Sequence, residues 1–242
     1  MIVSVATAWP GSVARGFLRT AAATAAVVGT SSALAAPAFA QEDPGGAPGR
    51  GRHRVPRDQI SIQLFTLRDQ LAIDLEGTLA TLAEIGYTRV EHAGFVGRTV
   101  QEFKAALDAA GLRATSGHVP IPQPFDPAGW SASLADTTDP HLVHLQLDLF
   151  WATRGARDPV DLIRQNRGRV LQYHVKDMNQ AGSFADPGEG LIDFARIFRH
   201  SDEAGVREYI VERDDAGTPP RQPADALDTA RVGYQFLSTI RF

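Results

Sequence analysis

Five side chains that can bind a metal or transfer a proton each lie at or beside the carboxyl end of a short apolar run. They are Glu91, His118, Asp148, His174 and Glu212. Carboxylate and imidazole groups bind Mn²⁺, Co²⁺, Zn²⁺ or Mg²⁺ where no thiolate is available, and the chain has no Cys. A single histidine or glutamate at such a place is usually structural. Five similar placements together indicate one shared site.

Two of the apolar runs carry polar residues at every second position. Residues 144, 146 and 148 (His, Gln and Asp) share one face of the first run. Residues 172, 174 and 176 (Gln, His and Lys) share one face of the second, with apolar residues between them. Polar side chains at this spacing inside a sheet need partners, because an unpaired buried polar group is costly. The alternation therefore indicates polar faces that line a site.

Strands and helices in alternation must hold these side chains. Apolar runs predict strands over 60–65, 88–91, 112–118, 142–148, 170–175 and 209–212. Helical spacing of apolar residues predicts helices over 74–85, 100–110, 159–166, 193–204 and 224–237, with Asp193 as an N-cap. The alternation predicts an α/β fold with parallel strands. No G-x-G-x-x-G follows the first strand, which favours a (β/α) TIM-like barrel over a dinucleotide fold.

The N-terminal part of the chain has the composition of a secretory signal. Residues 1–40 combine Arg15 and Arg19 with an apolar run that ends in Ala38-Phe39-Ala40. Residues 13–19 resemble a twin-arginine (Tat) signal, although Ala14 takes the place of the first arginine. Residues 41–57 are rich in Pro, Gly and Arg and predict a flexible linker before a domain at 58–242. We expect an exported, periplasmic or extracellular protein without stable membrane insertion.

Charge gives no support for a nucleic-acid partner. The formal net charge is −4, and it would become −6 without residues 1–40, which contain two arginines and no acid. A nucleic-acid-binding protein normally presents a basic surface. We therefore expect no nucleic-acid partner. His141 and His200 have no strand-end placement and are interpreted as structural, whereas the role of His92 is left open.

Six segments resemble the xylose-isomerase-like TIM-barrel superfamily, and most of all its exported sugar phosphate isomerase/epimerase proteins. The segments are 63–68 (QLFTLR), 90–94 (VEHAG), 146–151 (QLDLFW), 174–177 (HVKD), 187–194 (PGEGLIDF) and 211–214 (VERD). The resemblance extends over nearly everything from Ile60 to Leu237. Each motif alone is moderately specific, and their order and spacing together are more so.

The resemblance implies a divalent metal held by Asp148, His174 and Glu212. In relatives a fourth ligand, a glutamate, lies on the strand before the aspartate strand, and this segment has no counterpart here. The missing piece corresponds to strands four and five with their helices. The 185 residues from Asp58 onward, at roughly 30 residues for each β/α unit, supply about six of the eight units of a closed barrel.

The chemistry implied by the resemblance is proton transfer next to a sugar carbonyl, through an ene-diolate whose charge the metal stabilises. In relatives two glutamates flank the substrate, and here only Glu212 remains of that pair. Glu91, His118 and Lys176 are the candidates to replace the other. Glu189, in the Gly188-Glu189-Gly190 loop, and Trp151 are expected to contact the sugar or sugar phosphate.

Two alternatives remain open beside a metal-dependent isomerase or epimerase. The stronger is a catalytically impaired or inactive sugar-binding remnant of the same family. The other, a three-metal phosphodiesterase of endonuclease type, is disfavoured because the chain is acidic and has only seven His. An open six-stranded sheet would leave strand edges exposed, and a homo-oligomer would be one way to cover them.

Overall fold

The computed structural model of the protein describes residues 3–6 (backbone only), 51, 53–118 and 144–242. The strands in these ranges are β1 (Val3–Ala6), β2 (Ile60–Gln63), β3 (Arg89–His92), β4 (Arg113–Gly117), β5 (His144–Asp148), β6 (Val170–Val175), β7 (Asp177–Met178), β8 (Phe184–Ala185) and β9 (Glu208–Val211). The helices are α1 (Arg68–Ile73), α2 (Leu75–Ile85), α3 (Val100–Ala109), α4 (Leu149–Arg154), α5 (Pro159–Gln165), α6 (Phe194–Phe198), α7 (Ser201–Ala204) and α8 (Asp225–Thr239).

Six strands form one parallel sheet in the order β5-β6-β9-β2-β3-β4. The sheet curls strongly, since Gln172 of β6 donates a hydrogen bond to Ser116 of β4 at 3.2 Å although three strands lie between them. Strands β4 and β5 do not pair with each other in the described residues. The architecture is therefore a curled half-barrel, and the expectation of an incomplete α/β TIM-like barrel with six units is confirmed.

Strand β1 runs antiparallel along the outer edge of β5, with Val3 opposite Leu147 and Ala6 opposite His144. These four residues fall inside the segment predicted to be a signal peptide. Residues 1–2, 7–50, 52 and 119–143, which include the rest of that segment and most of the predicted linker, lie outside the described residues. The signal peptide and the linker thus stay predictions. No helix in the described ranges is long and apolar enough to cross a membrane.

Five strands of the half-barrel have an apolar face that packs against the helices, and β4 is the exception, since its Arg113 and Ala114 are exposed. Ile62, Val90, Tyr173 and Val211 on these outer faces are completely buried. Helix α8 lies so close to β9 that a Cβ added at Gly233 would come within 2.5 Å of Val211. The opposite faces carry the polar residues expected from the alternation, and the elements thus direct those residues toward the interior of the half-barrel.

Several helices differ from the sequence-based boundaries. The single helix predicted over 193–204 is wrong: α6 and α7 are separate, and His200 lies between them. Asp193 caps α6 as expected, because its side chain accepts the backbone N–H of Arg196. Helix α4, directly after Asp148, and the β7–β8 hairpin have no counterpart in the sequence prediction, because both are too short for a periodic pattern.

Candidate active site

The carboxyl ends of the parallel strands bring the predicted residues to one place. Asp148 ends β5 and is in register with His174 of β6, and Glu212 directly follows β9. Glu91 of β3 faces them from the other side of the curled sheet. These four side chains are almost fully buried, with relative exposures of 1–3%. His118, just after β4, keeps 29% of its side chain exposed.

Asp148, His174 and Glu212 form a compact group of possible metal ligands. One ligand atom from each lies within 4.8 Å of the other two. Nδ1 of His174 is 2.7 Å from Oε2 of Glu212 and 3.6 Å from Oδ2 of Asp148. Neither of these two buried oxygens accepts a well-aligned hydrogen bond in the described part of the chain. Two oxygens and one nitrogen of this kind suit a borderline divalent cation.

The two oxygens of Asp148 have different surroundings. Oδ1 accepts the backbone N–H of Trp151 at 2.9 Å, and it thereby caps helix α4. This bond fixes the plane of the carboxylate and leaves Oδ2 directed at His174 and Lys176. A helix N-terminus thus positions the oxygen that lies in the metal-ligand group.

Lys176 places a buried ammonium beside the same oxygens. Its Nζ lies 3.1 Å from Asp148 Oδ2, 3.0 Å from Glu212 Oε2 and 2.7 Å from Asp214 Oδ1. Its side chain is only 2% exposed. Asp214, which no sequence signal identified beyond its place in the 211–214 motif, is therefore a further part of the site.

The charged side chains of the site shift one another's pKa values. Burial favours the neutral form of Glu212, but the charges of His174 and Lys176 outweigh it and hold the pKa of this carboxyl well below its ordinary value. Burial also favours neutral His174, but the carboxylates of Glu212 and Glu91 raise its pKa. The site therefore contains four carboxylates and only two cations, the side chains of His174 and Lys176. The carboxylates are those of Glu91, Asp148, Glu212 and Asp214. The excess negative charge is what a divalent metal ion would neutralise.

Glu91 is the centre of a hydrogen-bond network inside the half-barrel. Its Oε1 lies 2.7 Å from Nε2 of His174 and 3.2 Å from Nε2 of His118. Gln63 donates to the same oxygen, and Gln146 donates to Oε2 at 2.7 Å. Burial alone would raise the pKa of Glu91, but the charge of His174 and the bonds from both histidines keep it well below its usual range.

Aromatic side chains border the site beside Lys176. The rings of Trp151 and Phe184 each lie 5.8 Å from Nζ of Lys176, and Phe150 stacks on Phe184 with ring centroids 4.5 Å apart. Trp151 is partly exposed. The expected contact of Trp151 with a sugar stays a prediction.

The Gly188-Glu189-Gly190 loop is organised by Asp177. The two oxygens of this buried carboxylate accept backbone N–H groups of Met178, Gly188, Gly190 and Ile192 at 2.8–3.1 Å. The side chain of Glu189 is exposed on this loop. Its expected contact with substrate stays a prediction. Sequence reasoning missed the role of Asp177, which only the folded loop reveals.

His92 does not join the site. Its ring stacks on Phe95 with centroids 5.2 Å apart and covers Gly117, where a Cβ would come within 2.5 Å of the imidazole. With the His92 ring in this position, there is no room for a side chain at position 117 of β4. His92 packs at the end of β3 on the face opposite to Glu91.

Comparison with known proteins gives partial matches in sequence. No protein-family model matches the chain. A stretch of 108 residues, 36% of the chain, is 32% identical to inosose dehydratase of Geobacillus kaustophilus and covers 35% of that protein. A stretch of 112 residues is 28% identical to inosose dehydratase of Clostridium perfringens and covers 38% of it. The matches thus span little more than a third of the length of these curated relatives.

The fold is similar to that of a solved sugar phosphate isomerase/epimerase from Parabacteroides distasonis ATCC 8503. The TM-score is 0.60 at 18% sequence identity, and the match covers 76% of this chain and 94% of that one. The sequence and fold likenesses agree with the motifs and with the parallel half-barrel described above. The comparisons thus show a fold similar to that of this isomerase/epimerase and a sequence likeness to inosose dehydratases over little more than a third of their length.

Proposed function

We propose that the protein is a metal-dependent enzyme that moves a proton next to the carbonyl of a sugar, as an isomerase or epimerase. The observation that carries this proposal is the buried group of Asp148, His174 and Glu212, with two oxygens that accept no well-aligned hydrogen bond. These residues would hold a divalent metal ion. Such an ion, when bound, stabilises negative charge on the oxygens of a substrate.

The residues of the chain supply the remaining parts of the reaction. The proton on the carbon beside the carbonyl would pass to the carboxylate of Glu212, and the electron pair of the broken C–H bond would form the C=C bond of an ene-diolate. For the isomer, the proton returns to the former carbonyl carbon, and the hydroxyl proton of the neighbouring carbon moves to the former carbonyl oxygen, so that the C=O bond now lies on that neighbouring carbon. For the epimer, the proton returns to the opposite face of the carbon that lost it. Lys176, whose pKa is raised by the carboxylates around it, stays protonated and would stabilise the negative oxygen.

The candidates for the second proton-transfer group differ in suitability. Both oxygens of Glu91 already accept hydrogen bonds, which makes it a poor base. His118 is partly exposed at the opening and can exchange protons with water, and Lys176 lies between the metal ligands and Trp151. Because Lys176 stays protonated and cannot accept a proton, we assign the second role to His118 rather than to Glu91 or Lys176.

Dehydration of a keto-polyol is a second candidate, favoured by the likeness to inosose dehydratases. The first step is the same: a base removes the proton next to the carbonyl. The C–O bond on the neighbouring carbon then breaks, and the hydroxide leaves as water after it accepts a proton. The ammonium of Lys176 is placed among the same carboxylates and would supply that proton.

Deuterium exchange tests the proposal directly. Mn²⁺-loaded protein in D₂O should introduce deuterium beside the carbonyl of at least one member of a panel of ketoses, ketose phosphates and a cyclic keto-polyol, as observed by NMR. An epimer or aldose supports the isomerase, and an unsaturated or deoxy product supports the dehydratase. Metal binding without exchange in any compound would instead favour a non-catalytic sugar-binding remnant.

We also propose export of the protein, with cleavage after Ala40. The composition of residues 1–40 supports the proposal, but such cleavage would remove β1 from the edge of β5. N-terminal sequencing of the protein from its own host therefore decides between cleavage after Ala40 and retention of β1. A mature chain that starts at Gln41 supports export, and a mature chain that retains residues 3–6 contradicts it.

A further inference from the structure

We propose that Glu91 is a positioning residue, which holds the imidazole of His174 so that Nδ1 faces Asp148 and Glu212. The inference rests on the proposed metal site and adds a residue from the far side of the half-barrel to it. Glu91 touches neither of the other two ligands in the described contacts. It would act on the metal only through His174.

Each ring nitrogen of His174 lies close to a carboxylate oxygen. Nε2 lies 2.7 Å from Glu91 Oε1, and Nδ1 lies 2.7 Å from Glu212 Oε2. Because the two nitrogens point to different sides of the ring, a bond at one determines where the other points. With Glu91 at Nε2, only Nδ1 remains for a metal ion.

Glu91 is itself held by donors from three other strands, two beside β3 and one across the half-barrel. Gln63 of β2, Ser116 of β4 and Gln146 of β5 all donate to its carboxylate. A carboxylate so fully bonded can hold a neighbouring ring in place. For the same reason it is poorly suited to bind a second cation together with His118 and His174.

A carboxylate behind a metal-binding histidine has a known physical effect. It fixes the tautomer and orientation of the ring and makes the metal-binding nitrogen more basic. Loss of such an outer partner typically lowers metal affinity by roughly 10–100-fold. Glu91 should therefore influence metal affinity although it does not contact the metal.

The test compares Glu91→Gln with Glu208→Gln by titration with Co²⁺. Glu208 is an equally buried carboxylate inside the half-barrel, but it bonds Gln172 and Thr115 rather than His174. We expect E91Q to lower Co²⁺ affinity by about 10–100-fold and E208Q to change it by less than about threefold. Equal losses in both variants, or no loss in E91Q, would overturn the inference. Should E91Q not fold, Glu91→Asp, which shortens the reach to His174, is expected to show the same loss.

A second readout needs no metal and separates this inference from the proposed function. In the metal-free wild type, the Nε2 proton of His174 should give a slowly exchanging, downfield NMR resonance, because it is buried against a carboxylate. E91Q should move that resonance upfield, and E208Q should leave it in place. If wild type does not bind Co²⁺, the proposed function fails, and this resonance alone still decides on Glu91. A resonance unaffected by E91Q refutes the positioning role.

Discussion

Nζ of Lys176 lies 3.1 Å from Oδ2 of Asp148, the oxygen that is free of the helix cap. A bound divalent ion would have to share that oxygen with the ammonium. Two cations at such close range repel each other, and the repulsion is strong in a buried site. Lys176 therefore stabilises the metal-free site and weakens metal binding to it.

Replacement of Lys176 by Met should raise Mn²⁺ affinity by about tenfold or more, because the competing charge is lost. The same change should lower the free energy of unfolding of the metal-free protein, since three carboxylates lose their counter-ion. Calorimetric titration and urea denaturation measure the two effects. Lys104 is the other lysine of the chain and pairs with Asp108 on the surface, so Lys104→Met is the matched control. Weaker Mn²⁺ binding in K176M would contradict the competition.

Asp148→Asn separates the metal role of this residue from its cap role. The asparagine oxygen can still accept the N–H of Trp151, so helix α4 should be retained. Loss of the charge should lower Co²⁺ affinity by more than about 100-fold, beyond the usual effect of an outer partner. Asp193→Asn changes a helix cap outside the site and should leave the affinity unchanged. Equal affinity of D148N and wild type would remove Asp148 from the site.

Asp177→Asn should loosen the 188–190 loop. The amide group would place an NH₂ against backbone N–H groups that now meet a carboxylate oxygen, as at Gly188 and Gly190. We expect a loss of about 2 kcal/mol in the free energy of unfolding, because buried donors lose their acceptor. Faster hydrogen exchange at these two glycines is the local readout. Asp108→Asn, on the surface, is the control.

The pair of Asp158 and Arg196 makes stability depend on pH. Burial would raise the pKa of Asp158, but hydrogen bonds from Arg196 and Val160 outweigh it and lower the pKa. The stabilisation is therefore present above the unfolded pKa of about 3.9 and is lost as the pH falls through the folded value. Asp158→Asn should cost up to about 1 kcal/mol at pH 7, because the pair is partly exposed. The difference in the free energy of unfolding between D158N and wild type, measured by urea denaturation, should shrink below pH 4. A difference that does not change with pH would contradict the role given to the ion pair of Asp158 and Arg196.

The polar faces of the strands could be predicted from sequence, and the contacts made by those faces could not. A period of two places Gln146, Asp148, Gln172 and His174 on inner faces whatever the curvature of the sheet. The bond between His174 and Glu91 depends on how far the six strands curl, because the two residues lie 83 positions apart in the chain. No local pattern carries that information.

Short elements were missed for a related reason. Helix α4 has only six residues, and its start depends on the cap made by Asp148 rather than on apolar spacing. The role of Asp177 depends on four backbone N–H groups that come together only in the folded loop. The sequence could therefore indicate which residues belong to the site. It could not indicate which of them hold the others in place.

The central claim is that a half-barrel is sufficient to build the metal site. The most direct test is titration of metal-stripped wild-type protein with Co²⁺, followed by visible absorption and by metal analysis after dialysis. We predict saturable binding of about one Co²⁺ per folded chain, with the absorption of a site made of nitrogen and oxygen ligands. A folded protein that retains no Co²⁺, or that retains it equally when Asp148 and His174 are replaced by Ala, would contradict the claim.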